Sequence, residues 1–368
     1  MSTLCVEICR IDNIEKHPNA DKLDIAMIKG WQCVVASDSF KEGDLGLYIP
    51  IDSILPEELE SKIFGTDCKV KLDKHRVRTI KLRKVISQGL LIRPEVAGIN
   101  KYKLGEDFIS VLGITKYEPP QELPGIYGKC NKIKKRYINS NFKKYTDIEN
   151  IKNYTQVFKD NDDVSITEKL HGTSFRAGWV ESEANTIWKK IKKFFGLLDK
   201  YEWIFGSRNV QLSYKNRNKV YYDSNVYSRV SEQYNLKDKL DKGEVLYGEI
   251  VGHKIQSGYN YGCKEGEVKL YAYDIMRDNK YVDVCELKNV CKDRQISIVP
   301  ELYLGVLNAD ILKECTIGKS TISPENQPIR EGCVIKSIIE ETSPFVGRKI
   351  LKSISNDYLL LKNGSDFH

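Results

Sequence analysis

The sequence predicts an α+β protein in two parts, a small closed β-barrel followed by a larger strand-rich domain. Three observations lead there. At 368 residues the chain exceeds what one ordinary core organises, so two domains are expected. Residues 4 to about 110 break into short apolar or alternating runs separated by turn signals. From about 151 onward strand-like segments dominate again, with helical patterns around 188 to 200, 224 to 240 and 283 to 292.

In the first part LCVEICRI, DIAMIKG, WQCVVAS and DLGLYIPI are the strands, with HPNADK and KEGD as turns. Several short strands joined by Gly-bearing turns suit a small closed barrel. ILPEELESKIF holds one helix, with Pro56 near its first turn. RVRTIKLRKVISQGLLI supplies two more strands. Its Arg76, Arg78, Lys81, Arg83 and Lys84 recur with a period near two, which lines one exposed face with positive charge. Such a face suits nucleic acid; it is equally the polar side of a half-buried sheet. Residues 111–150 contain Pro119, Pro120 and Pro124, several glycines and the basic run Lys132 to Arg136, and read as a linker. The expected division is therefore 1–110, a connection over 111–150, and a second domain over 151–368. Within the last, ESEANTIWKKIKKFFGLLDKYEW sets Ile187, Trp188, Ile191, Phe194 and Phe195 at helical spacing. Either its Lys189, Lys190, Lys192 and Lys193 clamp duplex, or they are the solvated face of an amphipathic helix packed on the domain.

Composition narrows the function classes. Hydrophobic residues make up 41% and charged residues 30%, as in a globular domain. No run approaches the length that spans a bilayer, so no membrane partner is expected. The opening MSTLCVEICRIDNIEKHP lacks a secretion-signal pattern. The ten cysteines are scattered, with no Cys-x-x-Cys and no histidine at ligand spacing, which argues against zinc and for reduced thiols in the cytosol or nucleus. The net charge of +7 suits a polyanionic partner without demanding one.

Six segments carry chemistry. VSITEKL ends on Lys169 and runs into His171-Gly172-Thr173-Ser174, with glycine where a tight turn is needed. FGSRNV holds Arg208. GEVLYGEIVG places Glu249 in an apolar run. VKLYAYDIM carries Tyr271, Tyr273 and Asp274. REGCVIKS puts Glu331 ahead of a strand, and GRKILKSIS supplies Arg348, Lys349 and Lys352. Each is ordinary alone: Tyr273 suits a core aromatic, Arg208 a structural ion pair, Lys349 a solvated strand lysine. Acids in apolar strands are costly unless paired or metal-bound, however. Two such acids together with these lysines exceed what packing explains.

This ordered set resembles the covalent nucleotidyltransferases, the polynucleotide ligases and mRNA-capping enzymes, over roughly residues 160 to 360. KLHGTSF is most similar to the RNA ligase 2 branch, which often has histidine at this place and commonly asparagine where this chain has Ser174. The segment from Ile14 to Glu57 and the later KLRKVISQGLLI, LGITKYEPP and FKKYTDIENIKNY look like RNA ligase family 5, whose N-terminal domain is an OB-fold. DNA ligases and capping enzymes usually carry an OB domain after the last lysine motif. Here about sixteen residues follow Lys352. The resemblance thus implies an OB-fold barrel followed by an antiparallel-sheet nucleotidyltransferase domain, ATP-grasp-like in architecture.

The implied activity is ATP-dependent RNA ligation of 3′-hydroxyl and 5′-phosphate ends, with Lys169 as nucleophile and a lysyl-AMP intermediate. Lys352 is implied to contact the α-phosphate and Lys349 or Arg348 the leaving phosphates. Lysine is protonated at neutral pH, with an ordinary pKa of about 10.4, so positive charge from Lys352 or a metal is needed nearby. Tyr273 is implied to stack on adenine, Glu168 to lie near its edge, and Ser174 to donate to the nucleotide. Glu249 is implied at the ribose and at a metal, Arg208 at the ribose or the 5′-phosphate, and Glu331 at Mg²⁺ or Mn²⁺ through water. The implied partner is nicked duplex with RNA on the 3′-hydroxyl side, bound by a monomer. A DNA ligase, a capping guanylyltransferase or a non-catalytic nucleic-acid-binding protein are the alternatives.

Overall fold

Alternation builds the first part of the chain. In the strands Leu23–Ile28 and Trp31–Ala36 every second residue is buried, and Ala26, Ile28, Trp31, Cys33 and Val35 form one inward row. The computed structural model describes residues 3–65, 72–117, 139–184, 187–197, 199–212, 226–361 and 364–366. Asn13–Lys16 joins these two strands in an antiparallel meander, and Glu7–Arg10, Leu45–Ile49 and Leu90–Ile92 form a second antiparallel sheet. A hairpin of Thr79–Leu82 and Val85–Gln88 leans on the meander. Val34 N–H donates to Ser87 Oγ at 3.0 Å, and Gln32 Nε2 to the Ile86 carbonyl at 2.6 Å. The expected helix runs Glu57–Phe64 behind Pro56.

The basic row along this segment does not line one face. Arg76 lies ahead of the hairpin and is buried, its guanidinium donating to Asp52 and to the Gly364 carbonyl. Arg78 donates to the Leu361 carbonyl at 2.8 Å. Arg83 and Lys84, with φ of 47° and 74°, form the two-residue turn. A period of two holds only within a strand, and here the strand begins at Thr79 and reverses at Arg83.

The second part is two sheets face to face. One runs in the order Glu149–Asn150, Ile350–Ile354, Gly332–Ser337, Asp163–Lys169, Glu301–Val306. The other runs Gln211–Leu212, Tyr201–Ser207, Thr173–Glu181, Glu244–Gly252, Val268–Arg277, Lys280–Tyr281 and is antiparallel throughout. Val334 and Ile350 of the first sheet pack with Val245, Tyr247 and Tyr273 of the second, so these inner faces share one core. The outer faces are covered by helices. Ala309–Thr316 covers the first, with Cys315, Ile311 and Leu312 against Val164, Ile166 and Leu351. Val226–Gln233 and Val284–Asp293 cover the second. The Ala309–Thr316 helix is absent from the sequence reading, although Asn308 caps it by accepting from Ile311 N–H at 2.8 Å.

Residues 139–150, expected as part of the connection, pack with the second domain: Phe142 and Tyr145 enter the core between the sheets. The prolines at 119, 120 and 124 and the basic run 132–136 lie outside the described residues. The helix expected in the 181–203 segment is Ile187–Phe194, but its described apolar side chains do not pack it down. Ile187 is 76% exposed, Phe194 85% and Phe195 67%. Helical spacing says which side chains share a face, not whether anything covers it.

A further cluster unites the two parts. Trp31, Cys33, Tyr48 and Ile51 of the barrel pack with Leu170, Val251, Tyr259, Ile354 and Tyr358, and Trp31 Nε1 donates to Asn153 Oδ1 at 2.7 Å. Because this core is shared, urea unfolding followed by circular dichroism is expected to show one cooperative transition. Trp31→Ala is expected to cost about 3–5 kcal/mol and to lower that single midpoint rather than split it.

Candidate active site

Strand alternation aims the candidate residues at one another. Lys169 ends Asp163–Lys169, where it pairs with Gly332 of the neighbouring strand, and Glu331 is the residue just before. Lys352 lies on the next strand, facing Val334 in register. Across the gap between the sheets, Ser174 pairs with Glu249, and the ladder shifts between Tyr247 and Gly248, leaving Tyr273 as the extra residue of a bulge. Lys169, Glu331, Lys352, Ser174, Glu249 and Tyr273 thus converge between the two inner faces.

Lys169 Nζ donates to Glu331 Oε1 at 2.5 Å, and the other oxygen of Glu331 is 3.3 Å from His171 Nδ1. The Glu331 side chain has no exposure and that of Lys169 keeps 13%. His171 is itself buried and held: its backbone N–H donates to Tyr261 Oη at 2.7 Å, and its ring meets the rings of Tyr259 and Tyr358 edge-on. Beyond His171 a cavity of about 310 Å³ is lined by Tyr259, Gln327, Ile329 and Tyr358 among others.

Two glycines make the approach possible. A Cβ on Gly172 would lie 2.2 Å from the Ile250 carbonyl oxygen, and its N–H donates to Glu249 Oε1 at 3.1 Å. Gly332 has φ +155°, and a Cβ there would lie 2.0 Å from the Ser353 carbonyl oxygen. Any side chain at either place would push the Lys169 turn or the Glu331 strand away from its neighbour.

Charge and burial set the electrostatics. Burial pushes the Glu249 carboxyl up from 4.5 to about 8; Lys169 pulls it down and Glu331 adds to the rise. Burial also lowers the Lys352 ammonium, opposed by Asp366 and reinforced by Lys169. Burial raises the Tyr273 phenol, with Glu249 adding to it and Ser174, at 3.4 Å from its oxygen, easing it. Arg208 forms an ion pair with Asp147 and lies close enough to Tyr273 to act on that phenol.

Three candidates are not brought to this cluster. Lys349 sits in the bend between Gly347–Arg348 and Ile350–Ile354, and its ammonium is 3.0 Å from both Asp162 and Glu341. Glu168 adjoins Lys169 on a strand and therefore faces away. One of its oxygens accepts from Thr321 N–H (2.9 Å) and Oγ1 (2.7 Å), while the other is buried without a partner among the described residues. Arg348 is likewise engaged elsewhere, with Asp274 at 2.7 Å and over the Tyr281 ring.

Sequence reasoning missed Asp366. Its carbonyl accepts from Lys352 Nζ and its carboxylate lies 3.6 Å away, while its N–H donates to Asp52 Oδ2 at 2.8 Å. No periodicity marks a lone aspartate near the end of a chain, so nothing local points to it.

The arrangement presents two ammonium groups, the buried Glu331 carboxylate and the half-buried Glu249 carboxylate to one gap, a donor set suited to phosphates and a cation. Among the described residues no group of three His, Cys, Asp or Glu side chains is placed to hold a metal by itself. Two carboxylates are what a hydrated Mg²⁺ or Mn²⁺ bridging phosphates asks of a protein.

Comparison with known proteins gives three findings. The RNA ligase family model matches residues 162–354, more than half of the chain, and an OB-fold domain model matches residues 5–94. No curated protein sequence is significantly similar. The fold is shared with structures of Naegleria gruberi RNA ligase. An Arg-to-Ala mutant with ATP and Mn is 22% identical with a TM-score of 0.71, covering 97% of this chain and 98% of that one. A Lys-to-Met mutant with AMP and Mn is 22% identical at 0.71, covering 96% and 98%. A complex with PPi is 22% identical at 0.69, covering 97% and 98%.

Two outcomes test the geometry. The folded protein holds a proton on Glu249 between pH 4.5 and about 8 that the unfolded chain has released. Stability therefore falls as pH rises through that interval, and urea midpoints measured across it are expected to fall less steeply in Glu249→Gln. Gly172→Ala forces a Cβ onto the Ile250 carbonyl and is expected to cost about 1–3 kcal/mol in thermal unfolding.

Proposed function

We propose that this chain, which belongs to the RNA ligase family, joins 3′-hydroxyl and 5′-phosphate ends in nicked duplex with RNA on the 3′-hydroxyl side, using ATP and a covalent AMP on Lys169. The observation that carries the reading is the pairing of Lys169 with Glu331 between the two sheets, beside Lys352 and Glu249. The ATP, AMP, Mn and PPi in the Naegleria structures support the same chemistry.

In this reading Lys169 Nζ attacks the α-phosphorus of ATP, and the bond to pyrophosphate breaks. The 5′-phosphate oxygen of the nick then attacks the adenylyl phosphorus and frees Lys169. Finally the 3′-hydroxyl oxygen attacks the activated 5′-phosphate, AMP leaves, and a phosphodiester remains. Lys169 must give up a proton before it attacks, and the carboxylate already in contact with that ammonium is Glu331. Lys352 offsets charge developing on the α-phosphate. Tyr273 offers its ring to the adenine, Ser174 a hydrogen bond to the nucleotide, and Arg208 a planar fork to the 5′-phosphate. Glu249 holds a ribose hydroxyl. A divalent cation, held through water by Glu331 and Glu249, would neutralise phosphate charge. Glu168 faces away and Lys349 is held by Asp162 and Glu341, so neither takes a direct part.

The matched segments support an OB-fold barrel within 1–110 and a nucleotidyltransferase domain within 151–368, with residues 139–150 joined to the latter by the packing of Phe142 and Tyr145. The described cysteines are free, which supports a reducing compartment, cytosol or nucleus. We take the working form to be a monomer.

Intact-mass measurement after incubation with Mg²⁺ and ATP, on protein first stripped with pyrophosphate, is expected to show one added AMP that maps to Lys169. Lys169→Ala is expected to take up none while still binding nicked duplex, and Glu331→Ala to slow uptake by about 10²–10³. A wild-type protein without an adduct would overturn the reading.

A further inference from the structure

The helix Ile187–Phe194 has an apolar face that nothing among the described residues covers. Ile187, Ile191 and Phe194 recur at helical spacing, and their exposures are 76%, 40% and 85%. Phe195 and Leu197 continue the patch at 67% and 71%, and Phe194 and Phe195 stack edge-on, 5.3 Å apart. Gly196, with φ +66°, ends the helix in the left-handed conformation. The same short sequence, IWKKIKKF, holds four lysines and no acid, and Lys190 and Lys192 are exposed.

The helix is carried between the strands Thr173–Glu181 and Tyr201–Ser207. Their pairing runs from Phe175 with Ser207, beside Ser174 and Arg208, to Glu181 with Tyr201. Six residues of strand separate those ends, roughly 20 Å, so the helix projects from the end of the hairpin remote from Lys169.

We infer that this helix is a membrane-surface anchor that lies in the headgroup region of an anionic bilayer. A short helix with one aromatic and aliphatic face and lysines on the other is what an interface parallel to the membrane accommodates. The apolar side chains enter the acyl boundary while the lysines stay with anionic headgroups. Nucleic acid would engage the lysines and leave five large apolar side chains in water. A second copy would cover the apolar face over barely two turns while bringing Lys190 and Lys192 of both copies together. Neither satisfies both faces. No described helix is long and apolar enough to cross a membrane, and none is needed here. The sequence-level expectation of no membrane partner rested on crossing alone. The distance from Lys169 leaves the active site open to its substrate.

The test is flotation of the full chain with phosphatidylcholine vesicles, with and without phosphatidylserine, at low salt. The protein is expected to float with the anionic vesicles and largely remain behind with the neutral ones. Phe194→Ser with Phe195→Ser is expected to reduce partitioning by about tenfold or more. Lys190→Gln with Lys192→Gln should reduce it by about fivefold per lysine. AMP uptake by the phenylalanine variant should match the wild type, which shows that it folds and separates this inference from the ligase reading. Absence of flotation with anionic vesicles, or unchanged flotation of the phenylalanine variant, would overturn it. So would an effect of these substitutions on self-association, or on the salt slope of nick binding, without one on flotation.

Discussion

The contact on which the rest of the site depends is the buried ion pair between Lys169 and Glu331. Taking a lysine and a glutamate out of water costs several kcal/mol per ion, which only close geometry and further hydrogen bonds offset. Here the two are brought together by antiparallel pairing of neighbouring strands, and His171 Nδ1 lies 3.3 Å from the second carboxylate oxygen. Gly332 lets the Glu331 strand lie against Ser353, and Gly172 lets the turn after Lys169 lie against Ile250. The pair is therefore a property of two close strand approaches rather than of two flexible side chains.

A second set of contacts ties the barrel to that site. Asp52, from the first part of the chain, receives Arg76 on one oxygen and Ser365 and Asp366 on the other. Asp366 in turn meets Lys352. The barrel thus reaches the lysine assigned to the α-phosphate through one short segment near the end of the chain. Arg76 and Arg78, which an exposed basic face would have offered to nucleic acid, are used to hold that segment instead. In the ligase reading a phosphate arriving at Lys352 meets a lysine already engaged by the Asp366 carbonyl.

Much of the architecture was legible in the residue pattern. Alternation in DIAMIKG and WQCVVAS marked the barrel strands, because a half-buried strand must alternate. The ordered lysines and acids marked the second domain, because charged groups in apolar strands need partners. The Ala309–Thr316 helix was missed although its asparagine cap and apolar spacing were present, in a region read as strand-like. The packing of Phe142 and Tyr145 was hidden in a segment read for its prolines and charge.

The sequence by itself determined the chemistry available to this protein: one lysine before a tight glycine turn, two acids in apolar strands, and a lysine on a later strand, with a barrel ahead of them. Tertiary structure decided which of these meet. Strand parity turned Lys352 inward and set Glu168 opposite Lys169, because successive strand residues face opposite ways and only pairing fixes which face is buried, while ion pairs with Asp162 and Glu341 hold Lys349 elsewhere. Asp366 reached Lys352, and no described residue covered the apolar face of the Ile187–Phe194 helix, for a related reason. Local pattern fixes what a segment offers, while contacts between segments distant in sequence decide what it touches.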